Sequence, residues 1–136
     1  MRNLFVDCRF AEMVIPTLME FAKRYDIVLH AFCIMPNHLH VVAQPQGSVA
    51  VPRYVKSIKG KTTYLMHRLG FSGKVWQRSF FDHVVRLSEG LETVVRYVLE
   101  NPVRKGLVDH FTDYKWSWDR FGIKDGAAQA RGRYRH

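Results

Sequence analysis

The chain has 136 residues, the length of one domain, and is 47% hydrophobic with 13% aromatic residues, which excludes a chain too polar to build a core. No apolar run approaches the ~20 residues that span a bilayer, and the N-terminus carries no signal-peptide pattern. A soluble protein of the prokaryotic cytoplasm, without a membrane partner, is therefore the expectation. Lys and Arg outnumber Asp and Glu by 21 to 12, a formal charge of +9. Between Asp26 and Asp82 there is no acidic residue, while Arg53, Lys56, Lys59, Lys61, Arg68, Lys74 and Arg78 fall in that stretch. A surface of one sign attracts phosphate backbones, but charge alone does not separate binding from chemistry.

In chain order, Glu12 to Tyr25 places Val14, Leu18, Phe21 and Tyr25 at helical spacing. Pro16 is tolerated in a first turn, so regular helix is expected to begin near it. Ile27 to Met35 is rich in β-branched and aromatic residues, Pro36-Asn37 signals a turn, and His38 to Gln44 is a second such run. Together they predict an antiparallel hairpin. A second helix is expected over Pro52 to Leu69, with Val55, Ile58, Thr62, Leu65 and Leu69 on its apolar stripe. Gly60 either weakens that helix or admits a close neighbour. Phe80 to Arg86 reads as a strand. Ser88 can cap a third helix running through Val94, Val95, Val98 and Leu99 to a stop at Pro102. The order predicts an α+β fold: an antiparallel sheet covered mainly on one face. Residues 1–125 are expected to form the domain and residues 126–136 a basic, disordered tail. The two cysteines, Cys8 and Cys33, lack metal-pair spacing and read as buried free thiols.

His38 and His40 are two apart on a strand, so both imidazoles share a face and can bind one divalent ion. Taken alone, such a pair is more often structural. Tyr97 and Asn101, four apart at a helix end, also share a face. The Asn101 amide oxygen could complete a metal site with Tyr97 beside it. A tyrosine hydroxyl attacks phosphate slowly without a cation that polarises it. Each of these features, taken singly, has an ordinary packing or helix-stop explanation.

In combination they resemble a known family. Met35-Pro36-Asn37-His38-Leu39-His40 is similar to the His-hydrophobic-His motif of the IS200-like single-tyrosine transposases. Val75-Trp76-Gln77-Arg78-Ser79-Phe80-Phe81-Asp82-His83-Val84-Val85-Arg86 resembles their second block. Tyr97-Val98-Leu99-Glu100-Asn101-Pro102-Val103-Arg104-Lys105-Gly106 resembles the tyrosine block of the branch associated with repetitive extragenic palindromes. The resemblance implies a ferredoxin-like fold whose first strand is shortened or missing here, since only Met1-Arg2-Asn3 precedes Leu4-Phe5. Residues near Val6 to Phe10 could fill in for that strand. It implies Mg²⁺ or Mn²⁺ on His38, His40 and Asn101, and attack by Tyr97 on single-stranded DNA near a hairpin, leaving a 5′-phosphotyrosine and a free 3′-hydroxyl. Arg53, Lys56, Lys59, Lys61 and Arg78 are the expected DNA contacts, with Tyr54, Tyr64 and Trp76 available for stacking, although core packing suits Trp76 better. Monomer and homodimer both stay open. So do two other functions: hairpin binding without cleavage, and a metal-dependent phosphoesterase that uses water.

Overall fold

A hairpin of two long antiparallel strands, β1 (Ile27–Met35) and β2 (His38–Pro45), forms the centre of the fold. Its register runs from Ile27 opposite Pro45 to Met35 opposite His38, as the two β-rich runs predict. The computed structural model describes residues 8–35, 38–76 and 90–133. The expected strand over Phe80 to Arg86, the cap at Ser88, and Arg78 lie outside these residues. The register slips by one between Leu29 and Ala31, so His30 is the extra residue of a β-bulge. A short third strand, β3 (Ser117–Asp119), pairs antiparallel with the other edge of β1, giving the order β2-β1-β3. Three residues are too few to show alternation, so β3 is not visible in the sequence. Trp118 stacks on Phe32 with ring centroids 5.9 Å apart.

The alternation of the strands divides the interior into two layers. Phe32, Ile34, Leu39, Val41 and Ala43 turn toward helices α1 (Cys8–Arg24) and α2 (Val51–Arg68). Ala31, Cys33, Met35 and Val42 turn the other way, toward α3 (Leu91–Leu99). The two longest helices thus cover one face, as expected, and the shorter α3 packs on the opposite one.

Helix α1 starts at Cys8, earlier than expected, so Pro16 lies inside it. Residues 8–10 are helical and cannot stand in for a strand; residues 1–7 lie outside the description. Glu12, whose carbonyl Pro16 leaves without an amide partner, is exposed along with Pro16, so water can take that carbonyl. Phe10, Val14, Leu18 and Phe21 meanwhile hold the helix to the core. In α2 the buried stripe is Val51, Tyr54, Val55, Ile58, Thr62 and Met66, shifted from the expected one, and Leu69 is exposed. Gly70, at φ +99°, ends α2 in a Schellman turn: its N–H bonds the His67 carbonyl, and that of Phe71 bonds Met66. Gly60 admits no close neighbour: among the described residues nothing stands within 4 Å of where its Cβ would be, outside the helix's own backbone.

Pro102 does not stop the third helix outright. The chain passes at Glu100 into one further turn, α4 (Asn101–Arg104), in which Pro102 takes an early position where its missing N–H costs nothing. A 3₁₀ turn (Phe111–Asp113) precedes β3, and α5 (Ile123–Arg133) follows it. The expected boundary at residue 125 therefore falls inside a helix, and residues 126–133 are not an unstructured tail. Two contacts explain this. The Asp119 carboxylate accepts from the Ile123 and Lys124 N–H groups at 2.8 and 3.0 Å, capping the helix, and Arg131 pairs with Asp113 at 3.0 Å. Among the described residues no helix is long and apolar enough to cross a membrane.

Candidate functional site

His40 stands on β2 opposite Cys33 and faces the α3 layer. It is 8% exposed, and Asn101, at the start of α4, is 5% exposed. The two meet side chain to side chain, Asn101 Nδ2 at 2.9 Å from His40 Nε2. A buried amide and a buried imidazole each need such a partner, so the contact also joins α4 to the sheet. His38 lies two positions earlier on the same strand, opposite Met35.

Tyr97 occupies the last turns of α3 and is 58% exposed. Glu100, between it and Asn101, is the junction of α3 and α4; its backbone is still right-handed helical and its N–H bonds the Arg96 carbonyl at 3.0 Å. What joins Tyr97 to Asn101 is Arg104, to which the sequence reading gave no role. Its guanidinium carbon lies 3.7 Å from the centre of the Tyr97 ring. Its Nη2 donates to the Tyr97 carbonyl at 2.6 Å and to Asn101 Oδ1 at 3.1 Å. The Tyr97 carbonyl is one of the four at the end of α3 that lack an intrahelical partner, so Arg104 acts there as a side-chain cap. Its signal was present in the sequence: Arg104 is three residues after Asn101, helical spacing that brings the two side chains together.

The donor set fits a divalent cation. A guanidinium can only donate, so the Asn101 atom facing Arg104 is oxygen and the one facing His40 is nitrogen. His40 Nε2 therefore presents its lone pair to the amide, and a rotation of that amide would bring an oxygen beside it. Imidazole nitrogen with amide oxygen suits a first-row divalent ion. Among the described residues no three His, Cys, Asp or Glu gather into a metal-binding cluster, so a metal here depends on Asn101 and on position 38.

Behind this pair the layer is sealed. Cys33 is fully buried and free, and burial pushes its thiol up to about 12. Tyr114 donates to the Ile34 carbonyl, and burial raises its hydroxyl pKa. At the bulge, Arg120 Nε donates to His30 Nδ1 at 2.8 Å, and His30 Nε2 meets Gln44 Oε1 at 3.1 Å. His30 is thus a packed, bonded residue whose pKa burial lowers, outside the candidate site.

The expected DNA contacts are not gathered here. Arg53, Lys56, Lys59 and Lys61 are on α2, across the sheet from His40 and Tyr97. Arg53 and Lys56 are exposed and, with Tyr25, Pro52 and Ser57, line a groove. Lys61 is committed to Glu20 at 2.9 Å, and the Lys59 amine lies 5.8 Å from the Trp76 ring. Tyr54 is a correction: it is fully buried, donates to the Leu18 carbonyl at 2.7 Å, and cannot stack on a base. Trp76 is core, donating to Thr62 at 2.9 Å, whereas Tyr64 is 54% exposed.

The fold is that of a tyrosine transposase. A solved structure of a REP-associated tyrosine transposase bound to a REP hairpin superposes with a TM-score of 0.65 at 20% identity, over 99% of this chain and 76% of that one. The chain belongs to the family described as IS200-like transposases, whose model matches residues 2–101. Among relatives, a REP-associated tyrosine transposase of Escherichia coli K12 is 28% identical over 107 residues, 78% of this chain. One of Haemophilus influenzae, named as putative, is 26% identical over 110 residues, 72% of this chain. The matches span 62% of each relative's own length, less than two thirds. Enzymes of this family are generally metal-dependent.

Proposed function

We propose that the chain is a metal-dependent DNA strand transferase that cuts and rejoins single-stranded DNA beside a hairpin, with Tyr97 as nucleophile. The observation that carries this reading is an exposed tyrosine on the same side of the sheet as the buried His40–Asn101 pair, with one arginine touching both Tyr97 and Asn101. Mere binding of DNA needs neither the pair nor the tyrosine.

The Tyr97 oxygen forms a bond to phosphorus as its proton leaves. The bond from phosphorus to the 3′-oxygen breaks, and that oxygen takes up a proton. The products are a 5′-phosphotyrosine and a free 3′-hydroxyl. Attack by another 3′-hydroxyl on the phosphotyrosine reverses the step and rejoins the strands with no external energy source. A divalent ion, Mg²⁺ or Mn²⁺, on His38, His40 and Asn101 would polarise the phosphate and offset the charge added in the transition state. Arg53 and Lys56 take flanking phosphates on the α2 side, away from the cut. The likeness to a hairpin-bound transposase supports a hairpin as the substrate.

Incubation with single-stranded DNA carrying a hairpin from the flanks of its own gene, with Mn²⁺, should give a covalent adduct on a denaturing gel. The adduct should vanish with chelator and in Tyr97→Phe. Cleavage that survives Tyr97→Phe without an adduct would replace this reading with a phosphoesterase that uses water.

A further inference from the structure

Arg104 makes three contacts that no general stabilising role requires together. Its guanidinium lies against the Tyr97 ring, caps the Tyr97 carbonyl, and donates to Asn101 Oδ1. A cap on α3 needs only the second. The stack fixes the ring that carries the nucleophile, since a guanidinium over an aromatic face is held by the ring's quadrupole. The third contact sets the Asn101 amide, because a donor-only group demands oxygen on its side. With Oδ1 held by Arg104, Nδ2 is turned toward His40, where it bonds Nε2 at 2.9 Å.

We infer that Arg104 is the positioning residue of this site: it holds Tyr97 in place and keeps the Asn101 amide oxygen turned away from His40 until a cation draws it over. The inference rests on the strand-transferase reading above. Its logic is that of a neighbouring group orienting a ligand, with an added competition. The same oxygen cannot face Arg104 and a metal beside His40 with equal comfort. Arg104 therefore serves the nucleophile while opposing metal uptake. Its loss should shift the two in opposite directions, whereas simple loosening of the site would weaken both.

The test compares wild type with Arg104→Met and Arg104→Lys. Mn²⁺ affinity of the DNA-free protein is read by electron paramagnetic resonance titration, and adduct formation is read in single turnover at saturating hairpin DNA and saturating Mn²⁺. Arg104→Met should bind Mn²⁺ about fivefold more tightly, the worth of one released hydrogen bond. Its adduct rate should fall on the order of tenfold to a hundredfold, the effect of a misplaced nucleophile. Arg104→Lys keeps the positive charge and, like arginine, can only donate, so it can still face the Asn101 oxygen but has no planar fork to stack and donate at once. Its Mn²⁺ affinity should fall between those of wild type and Arg104→Met. The same Arg104→Met change in an Asn101→Ala background should leave Mn²⁺ affinity unchanged; an equal gain there would mean that charge repulsion, not the amide, is responsible, and would overturn the proposal. Weaker binding in both Arg104 single variants, or an unchanged adduct rate in both, would overturn it too. A wild-type protein that forms no adduct would instead defeat the strand-transferase reading.

Discussion

The two faces of the sheet are built from the same strands, residue by alternate residue, and they do different work. The α1–α2 face is a mainly apolar layer around Phe10, Leu18, Phe32, Ile58 and Tyr54, whose few buried polar groups, such as Thr62 and the Tyr54 hydroxyl, bond within the layer. The α3 face is smaller and carries more polar side chains at the same depth: His40, Asn101, Ser117 and Asp119 are each under 9% exposed. Each of those needs a partner, and the partners fix where α4 and α5 sit. The first face gains its free energy mainly from packing that has no direction. The other takes its geometry from hydrogen bonds that do, which is what a reacting site requires.

The comparison can be broken most forcefully at Ile58, fully buried on the α1–α2 side. Ile58→Ala should cost about 2–5 kcal/mol of stability, read by chemical denaturation, while adduct formation by the remaining folded protein is unchanged. Tyr97→Phe, at a largely exposed position, should do the reverse: stability within about 0.5 kcal/mol of wild type and no adduct. If both variants lose both properties, the faces are not separable.

A smaller effect is expected at the groove on α2. Arg53→Gln with Lys56→Gln should weaken hairpin binding about tenfold and lower the slope of log affinity against log salt by about two, one for each lost phosphate contact. The adduct rate at saturating DNA should not change, since neither residue is near Tyr97. An unchanged slope would remove the α2 face from the DNA path. Smaller again, Gly60→Ala should stabilise the protein by about 0.5–1 kcal/mol, because the site is open and a helix favours alanine.

The least effect concerns His30. Burial holds its pKa below the ~6.5 of an unfolded chain, and the Arg120 N–H already occupies Nδ1. At acid pH the unfolded chain therefore takes up this proton more readily than the folded one. The contribution of His30 is complete above that unfolded value and declines as pH falls toward the folded one. The melting temperature should drop between pH 7.5 and 5 by more in wild type than in His30→Gln. Equal drops would place the sensitivity elsewhere.

Local regularities were readable in advance. The hairpin declared itself through two β-rich runs around Pro36-Asn37, and α2 through its stripe, misjudged at Val51, Tyr54, Met66 and the two leucines. His38, His40, Tyr97 and Asn101 were singled out from spacing and from a motif, and of these the structure brings His40 and Asn101 into contact. What spacing could not show was long-range: that α2 and the site would lie on opposite faces follows from which strand residues face which helix. The pairing of β3 with β1 has the same character, since three residues have no pattern of their own. The extent of α5 depended on Asp119 and Arg131, neither of which marks a helix until its partner is known. Arg104 was overlooked because an arginine after a helix end reads as an ordinary cap.

The buried thiol of Cys33 has a practical consequence. It lies opposite His40 in the strand register, and burial keeps it protonated and therefore unreactive toward alkylating reagents in the closed protein. In a Cys8→Ser background its labelling would proceed only when the α3 layer lifts from the sheet, so the modification rate becomes a clock for opening. DNA or Mn²⁺ that holds α3 and α4 down would slow that clock, giving a reading of site occupancy that needs no catalysis.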